Sequence, residues 1–211
     1  TGKESFRPGY EAIAAAFPVP AAGDINLFAS QIKSEQGGNV DLMAHMNITM
    51  RGGQVNTADL WGWTDPLNGK EYAIIGMRNG TAFIDITNAA APVRIGNLPS
   101  HITGSNTLWR DVDVSGNWCY VGSETAGHGL QVFDLTRLRN VTAPPVTFTE
   151  DAHYPGFGNS HTIFADKAGP YVYAVGTGVN SGGLNAIDVS DPLAPVLAGT
   201  YTQDGYIHEN V

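Results

Sequence analysis

The sequence predicts an all-β protein, a β-propeller of which three to four four-stranded blades are present. The first observation behind this prediction is a pattern that occurs three times at intervals of about 50 residues, as in known propeller repeats. The second is that no helical periodicity of useful length follows residue 40. Because closed propellers have roughly 4 to 8 blades, we expect the chain to be part of a larger closed propeller or to be completed by another chain.

Each repeat consists of an apolar β-rich run, a glycine-containing loop, a run that ends in aspartate, a turn with proline and a last short apolar run. The repeats begin at Tyr72, Cys119 and Val172, and one further run precedes each of them: DLWGW, WRDVDV and HTIFA. Near-continuous apolar runs suit strands that are covered on both faces, and small glycines suit strands that crowd toward an axis. We therefore predict blades at about 59–98, 108–149 and 160–201.

The two ends of the chain lack the repeat. Residues 1–38 are predicted to form a loosely structured N-terminal extension, and residues 39–211 to hold the blades. Segment 39–50 resembles a strand without partners nearby in the sequence, so we expect it to complete the last blade as a closing strand. Residues 204–211 resemble an innermost strand and are predicted to start a further blade.

Composition and charge argue against several functions. The 211 residues include 20 acidic and 11 basic side chains, a net charge of −9. We expect no nucleic-acid binding, because phosphate contacts need clustered Lys and Arg. No run of about 18 apolar residues is present, so the sequence predicts no membrane span. The single cysteine, Cys119, supports neither an internal disulfide nor a cysteine-based zinc site and is expected to be buried.

Five of the six histidines are predicted to share one face of the propeller. His101 and His153 fall in links between blades, and His128 falls in a loop between the second and third strands of its blade. His161 and His208 stand at the mouth of innermost strands. Loops of these kinds emerge on the same side of a propeller, which leads us to expect a functional surface there.

Aligned strand starts place Arg110, His161 and His208 at equivalent positions around the central channel. Imidazole is the commonest metal ligand in proteins. The candidate metal ligands are His161, His208 and Glu209, for a divalent ion, and no other cofactor is expected. The candidate ligand-binding residues are Trp109, Arg110, Asp111, His128, His153 and Tyr154. The alternative is that these histidines are solvated or locally hydrogen-bonded, since their spacing matches no short metal motif.

The aspartates that end the third strand of each unit are Asp85, Asp134 and Asp188. Aspartate before a turn commonly accepts hydrogen bonds from the backbone N–H groups that follow it. We therefore expect a structural role for all three, and catalysis by one of them is the alternative.

Several motifs resemble the choice-of-anchor B family. They are LWRDVDVSGNWCYVGSETAGHGLQVFDLTRLRN, FTEDAHYPGFGNSHTI and DGYIHE, and the resemblance extends over about residues 39–211. This resemblance implies an extracellular β-propeller with LVIVD-type repeats, secreted or anchored at the cell surface. It brings no catalytic mechanism that can be transferred to this chain.

Three functions are consistent with these observations. The first is a non-enzymatic extracellular interaction or structural module, whose partner is a protein, a cell surface or further copies of the chain. The second is a metal-dependent hydrolase or lyase, with His161 and His208 as ligands and Glu209 or Asp111 as base. The third is a subunit of a self-assembling extracellular polymer. The first is preferred because the sequence shows no strong catalytic constellation.

Overall fold

The computed structural model describes residues 43–46, 56–104 and 109–209. The predicted N-terminal extension, 1–38, lies outside the described residues. So does the predicted closing strand, 39–50, apart from residues 43–46, which have no regular secondary structure. The start of a further blade, predicted at 204–211, is described as far as residue 209 and is irregular over those residues.

All the strands that are found in the described residues lie in one compact unit, which includes residues 56–88, 92–104 and 109–209. They are β1 (Thr57–Thr64), β2 (Glu71–Met77), β3 (Gly80–Asp85), β4 (Val93–Pro99), β5 (Arg110–Ser115), β6 (Trp118–Ser123), β7 (Leu130–Asp134), β8 (Val146–Thr147), β9 (Ala152–Tyr154), β10 (Thr162–Ala165), β11 (Tyr171–Val175), β12 (Leu184–Asp188) and β13 (Val196–Tyr201).

These strands form three sheets. Their orders are β1-β2-β3-β4-β8, β5-β6-β7-β9 and β10-β11-β12-β13, and every pair is antiparallel except β4 with β8. Helix in the described residues is confined to two short 3₁₀ segments, Leu135–Asn140 and Asn180–Gly182. The all-β prediction is therefore confirmed, and the sheets are consistent with propeller blades. No sheet closes on itself within the described part of the chain.

The last strand of the second sheet differs from the prediction. The last short apolar run of the predicted blade 108–149 is the segment 146–148, but its strand β8 pairs with β4 of the first sheet, in parallel. The vacant edge of β7 is paired instead with β9. Packing explains the exchange, because Phe148 is buried with Phe83 and Phe133 in a cluster of aromatic rings. The run thus crosses to the first sheet to bury its aromatic side chain.

Two hydrophobic clusters hold the three sheets together. The first joins the first and second sheets and includes Phe83, Val121 and Phe133. The second joins the second and third sheets and includes Tyr120 and Val172. Successive residues of β6 alternate between the two clusters, so the second sheet is covered on both faces, as its continuous apolar runs indicate.

Hydrogen bonds join the innermost strands of neighbouring sheets at one end. The N–H of Val112 donates to Oδ2 of Asp59 over 2.9 Å, which links β5 to β1. The N–H of Ile163 donates to Oδ2 of Asp111 over 2.6 Å, which links β10 to β5 in the same way. The separations along the chain are 53 and 52 residues, so this contact repeats with the blades. The repeated contact brings the starts of β1, β5 and β10 side by side.

Candidate functional site

A cavity of about 450 Å³ opens where the three innermost strands begin. Six of the predicted site residues line it, together with residues of β1. The lining residues are Ala58, Asp59, Trp109, Arg110, Asp111, His161, Thr162, His208 and Glu209. The structure thus brings together residues that stand in four separate stretches of the sequence.

The segment after β13 brings His208 to this cavity. The N–H of Ile207 donates to the carbonyl of Gly182 over 3.1 Å, and Oγ1 of Thr162 donates to the carbonyl of His208 over 3.0 Å. Thr162 lies in β10, one residue after His161. The two hydrogen bonds therefore hold the segment beside the third sheet and place His208 next to His161.

His161, His208 and Glu209 form a cluster with potential metal-ligand atoms within 4.8 Å of one another. The two imidazole rings have centroids 4.2 Å apart and planes inclined by 54°. Nδ1 of His208 lies 3.2 Å from Oε1 of Glu209. These are the three residues that the sequence indicated as metal ligands.

Glu124 is the residue that sequence reasoning missed. Its Oε1 lies 2.5 Å from Nδ1 of His161, within hydrogen-bonding distance of that ring nitrogen. Glu124 stands in the loop between β6 and β7, which also carries His128. Its position in a loop already predicted to reach the histidine-bearing face was the available signal.

Asp111 is an acidic group with an altered pKa at the cavity. Burial, together with the neighbouring carboxylates of Asp59 and Glu209, raises the pKa of Asp111 to about 8. The N–H of Ile163 donates to the same carboxyl and opposes this shift. Near neutral pH, Asp111 therefore carries a proton that it can donate.

Trp109 lies at the mouth of the cavity, and 51% of its surface is exposed. Its backbone carbonyl accepts from the hydroxyl of Ser123 over 3.1 Å. The ring is thus held on an ordered segment while its face stays accessible to a ligand.

The guanidinium of Arg110 lies in the interior. It donates to the carbonyl of Met77 over 2.9 Å, to Oγ of Ser100 over 2.6 Å and to Nε2 of His128 over 2.7 Å. Nδ1 of His128 in turn donates to the carbonyl of Gly129 over 2.9 Å. Burial lowers the pKa of Arg110 to about 10, and burial together with Arg110 lowers the pKa of His128 to about 3. Both predicted ligand-binding side chains therefore serve as internal hydrogen-bonding groups here.

His153 belongs to a second histidine cluster, away from the main cavity. Its ring stacks on that of His101 with centroids 3.6 Å apart, and its Nε2 donates to the carbonyl of His128 over 2.7 Å. Nδ1 of His101 lies 2.7 Å from Oε1 of Glu150. A cavity of about 230 Å³ borders His101 and Glu150. The predicted group of histidines is thus divided into two clusters.

Two of the predicted site residues, His153 and Tyr154, lie elsewhere than the sequence predicts. His153 was expected in a link between blades but lies in β9, because β9 replaces the run at 146–148 as the last strand of the second sheet. Tyr154, in the same strand, packs beside Phe157 with ring centroids 5.8 Å apart. Tyr154 therefore does not join the residues that line the main cavity.

Two segments of the chain, residues 109–135 and 168–203, match the family model of the LVIVD repeat. The chain contains LVIVD repeats. The first LVIVD repeat extends from Trp109 past the end of β7, and the second covers β11, β12 and β13. Among curated proteins, none matches the chain. LVIVD repeats, together with the three sheets, are consistent with a repeat β-propeller family.

The LVIVD repeats contain only part of the cavity. Trp109, Asp111 and Glu124 lie within the first matched segment, whereas His161, His208 and Glu209 lie outside both. The match thus supports the fold, whereas the evidence for the metal-ligand cluster is its geometry. None of the helical segments in the described part of the chain has the length and apolar character that crossing a membrane requires.

Proposed function

We propose that this chain is part of an extracellular or cell-surface β-propeller of the choice-of-anchor B type that acts as a non-enzymatic interaction module. The LVIVD repeats and the stacked four-stranded sheets support the propeller part of this proposal. The resemblance to choice-of-anchor B proteins supports the extracellular location. A rigid β scaffold that presents loops at one end is a common arrangement for binding.

The cavity at the innermost strands carries the proposal. It combines a half-exposed indole, two imidazoles and several carboxylates on segments that hydrogen bonds hold in place. Tryptophan is enriched among residues that contribute most to binding energy, because it buries a large area at low conformational cost. We therefore infer that Trp109 is the central contact for the partner.

Binding to intact cells of the producing organism tests this function. We expect the fluorescently labelled chain to bind saturably in flow cytometry, and Trp109→Ala to weaken binding at least tenfold, the loss of a central aromatic contact. Trp61→Ala is the matched control, since Trp61 is also exposed, at 40%, but lies outside the cavity lining. Absence of saturable binding, or equal binding by Trp109→Ala, would contradict the proposal.

A metal-dependent hydrolase or lyase is the second candidate. The observation in its favour is that Asp111 lines the same cavity as the cluster of His161, His208 and Glu209. A divalent ion bound there would polarise a substrate oxygen, and a carboxyl group nearby would transfer the proton. Assays with ester, phosphoester and glycoside substrates in the presence of Zn²⁺ test it. Activity that disappears in Asp111→Asn would favour this candidate over the interaction module.

A further inference from the structure

The donor set of the cluster suits a particular class of ion. Two imidazoles and one carboxylate are ligands that Zn²⁺, Co²⁺ and Ni²⁺ accept, whereas Ca²⁺ and Mg²⁺ prefer oxygen ligands alone. A tetrahedral zinc site has ligand atoms about 3.3 Å apart, given metal–ligand distances near 2.0 Å. The atoms of His161, His208 and Glu209 already lie within 4.8 Å of one another. These separations therefore exceed the tetrahedral value by at most about 1.5 Å.

Glu124 prepares His161 for this role. Metal-ligating histidines usually donate their second ring N–H to a carboxylate, a carbonyl or water, which fixes the tautomer and orients the ring. The 2.5 Å contact between Nδ1 of His161 and Oε1 of Glu124 is an interaction of this kind. It directs the lone pair of Nε2 away from Glu124 and leaves that nitrogen available to an ion.

The surroundings also favour a cation and give it access. The side chains of His208 and Glu209 are 64% and 65% exposed, so an ion reaches them directly from solvent. Asp59 lines the same cavity, and the guanidinium of Arg110 is engaged in the interior. An acidic residue beside the cluster, in a chain of net charge −9, favours the approach of a cation.

We propose that His161, His208 and Glu209 bind one divalent transition-metal ion, with Glu124 as the positioning residue for His161. The ion ties the segment after β13 to the start of β10, in addition to the hydrogen bond from Thr162 to the carbonyl of His208. Three protein ligands leave one position of a tetrahedral ion for water. This site shares its cavity with the proposed partner binding, but metal binding is measured separately from cell binding.

Titration with Co²⁺ and Zn²⁺ tests the site. For the full chain, freed of metal by a chelator, we expect one ion per chain by calorimetry and a visible absorption band for bound Co²⁺. His161→Ala and His208→Ala should each weaken binding at least tenfold. His101→Ala is the matched control, because His101 also contacts a glutamate and stacks on a second histidine. Circular dichroism should show that all variants remain folded.

The role of Glu124 has its own readout. Glu124→Ala should weaken binding about tenfold, in the range found for such partners, and should change the Co²⁺ absorption band. Glu124→Gln keeps an acceptor for Nδ1 of His161 and should restore part of both properties. The site is overturned if the wild type binds neither ion stoichiometrically, or if His161→Ala and His208→Ala bind as well as His101→Ala. Failure of cell binding alone would leave this result unaffected.

Discussion

The guanidinium of Arg110 is buried, and its acceptors among the described residues are neutral: a carbonyl, a hydroxyl and an imidazole nitrogen. Two of these, Met77 and Ser100, belong to the first sheet or its following link, so the side chain joins that part of the chain to β5. Buried polar groups are costly when they lose their partners, because they have already lost water. Arg110 therefore contributes to the packing between neighbouring sheets.

Substitution of Arg110 tests its contribution to the packing between neighbouring sheets. Arg110→Ala should lower the free energy of unfolding by about 3 kcal/mol, since it leaves several buried acceptors without a donor. Lys70→Ala, which removes an exposed ion pair with Asp85, should change it by less than about 1 kcal/mol. Urea denaturation followed by fluorescence measures both. Equal small changes would mean that the interior contacts of Arg110 contribute little.

Residue type and spacing anticipated the site only in part. Equivalent strand positions pointed to His161 and His208, because inner strands repeat along the chain. The same alignment included Arg110, but its guanidinium lies in the interior and contributes to the packing between sheets. Its direction depends on Met77 and Ser100, which approach only when the first two sheets pack together. The sequence did not indicate Glu124 for the same reason: its contact with His161 forms only when two sheets pack together.

At the scale of the element, glycines allow the strands to approach one another. A Cβ at Gly76 of β2 would lie 2.7 Å from the carbonyl oxygen of Arg110. A Cβ at Gly122 of β6 would lie 2.8 Å from Cγ2 of Ile163. Gly176, which follows β11, would place a Cβ 2.8 Å from the hydroxyl of Tyr206. The second strand of the first two sheets thus carries a glycine where the next unit packs against it, and in the third sheet the glycine directly follows that strand.

This close approach predicts that alanine substitutions of two glycines in neighbouring strands differ in their effect on stability. Gly76→Ala should destabilise the fold by about 2 kcal/mol, because a backbone carbonyl must shift to admit the methyl group. Gly62→Ala is the control: it lies in β1 with nothing within 4 Å of an added Cβ, and should be neutral or slightly stabilising. Thermal unfolding distinguishes them. A lower melting temperature for Gly62→Ala than for Gly76→Ala would contradict the packing described.

At the scale of the whole molecule, two ionisable groups, Asp111 and His128, make the free energy of unfolding depend on pH in opposite directions. Asp111 has a pKa raised to about 8 from 3.8, so the folded chain holds a proton that the unfolded chain releases. Its contribution is present at low pH and is lost as the pH rises toward 8. His128 has a pKa lowered to about 3 from 6.5, so its contribution is lost as the pH falls below 6.5.

In the interval between pH 6.5 and 8, comparison of the wild type with Asp111→Asn isolates Asp111, because the titration of His128, half-protonated at pH 6.5 in the unfolded chain, is common to both proteins. Over this interval we expect the free energy of unfolding of the wild type to fall by about 1.6 kcal/mol through Asp111. Asp111→Asn keeps an acceptor for the N–H of Ile163 and should remove this part of the decrease. Chemical denaturation at several pH values, with chelator present, measures the free energy of unfolding of both proteins. Parallel curves for the two proteins would show that Asp111 does not titrate as described.

The sequence by itself determined that the chain is all-β and that its units repeat, because strand periodicity, turn residues and repeat spacing are local properties. It also indicated that His161 and His208 occupy equivalent positions at innermost strands. Tertiary structure decided which side chains reach the cavity, which turn inward, and that β9 replaces the run at 146–148 in the second sheet. These outcomes depend on contacts between residues some 50 positions apart, such as Asp111 with Ile163, separated by 52. Such contacts exist only once neighbouring sheets have packed.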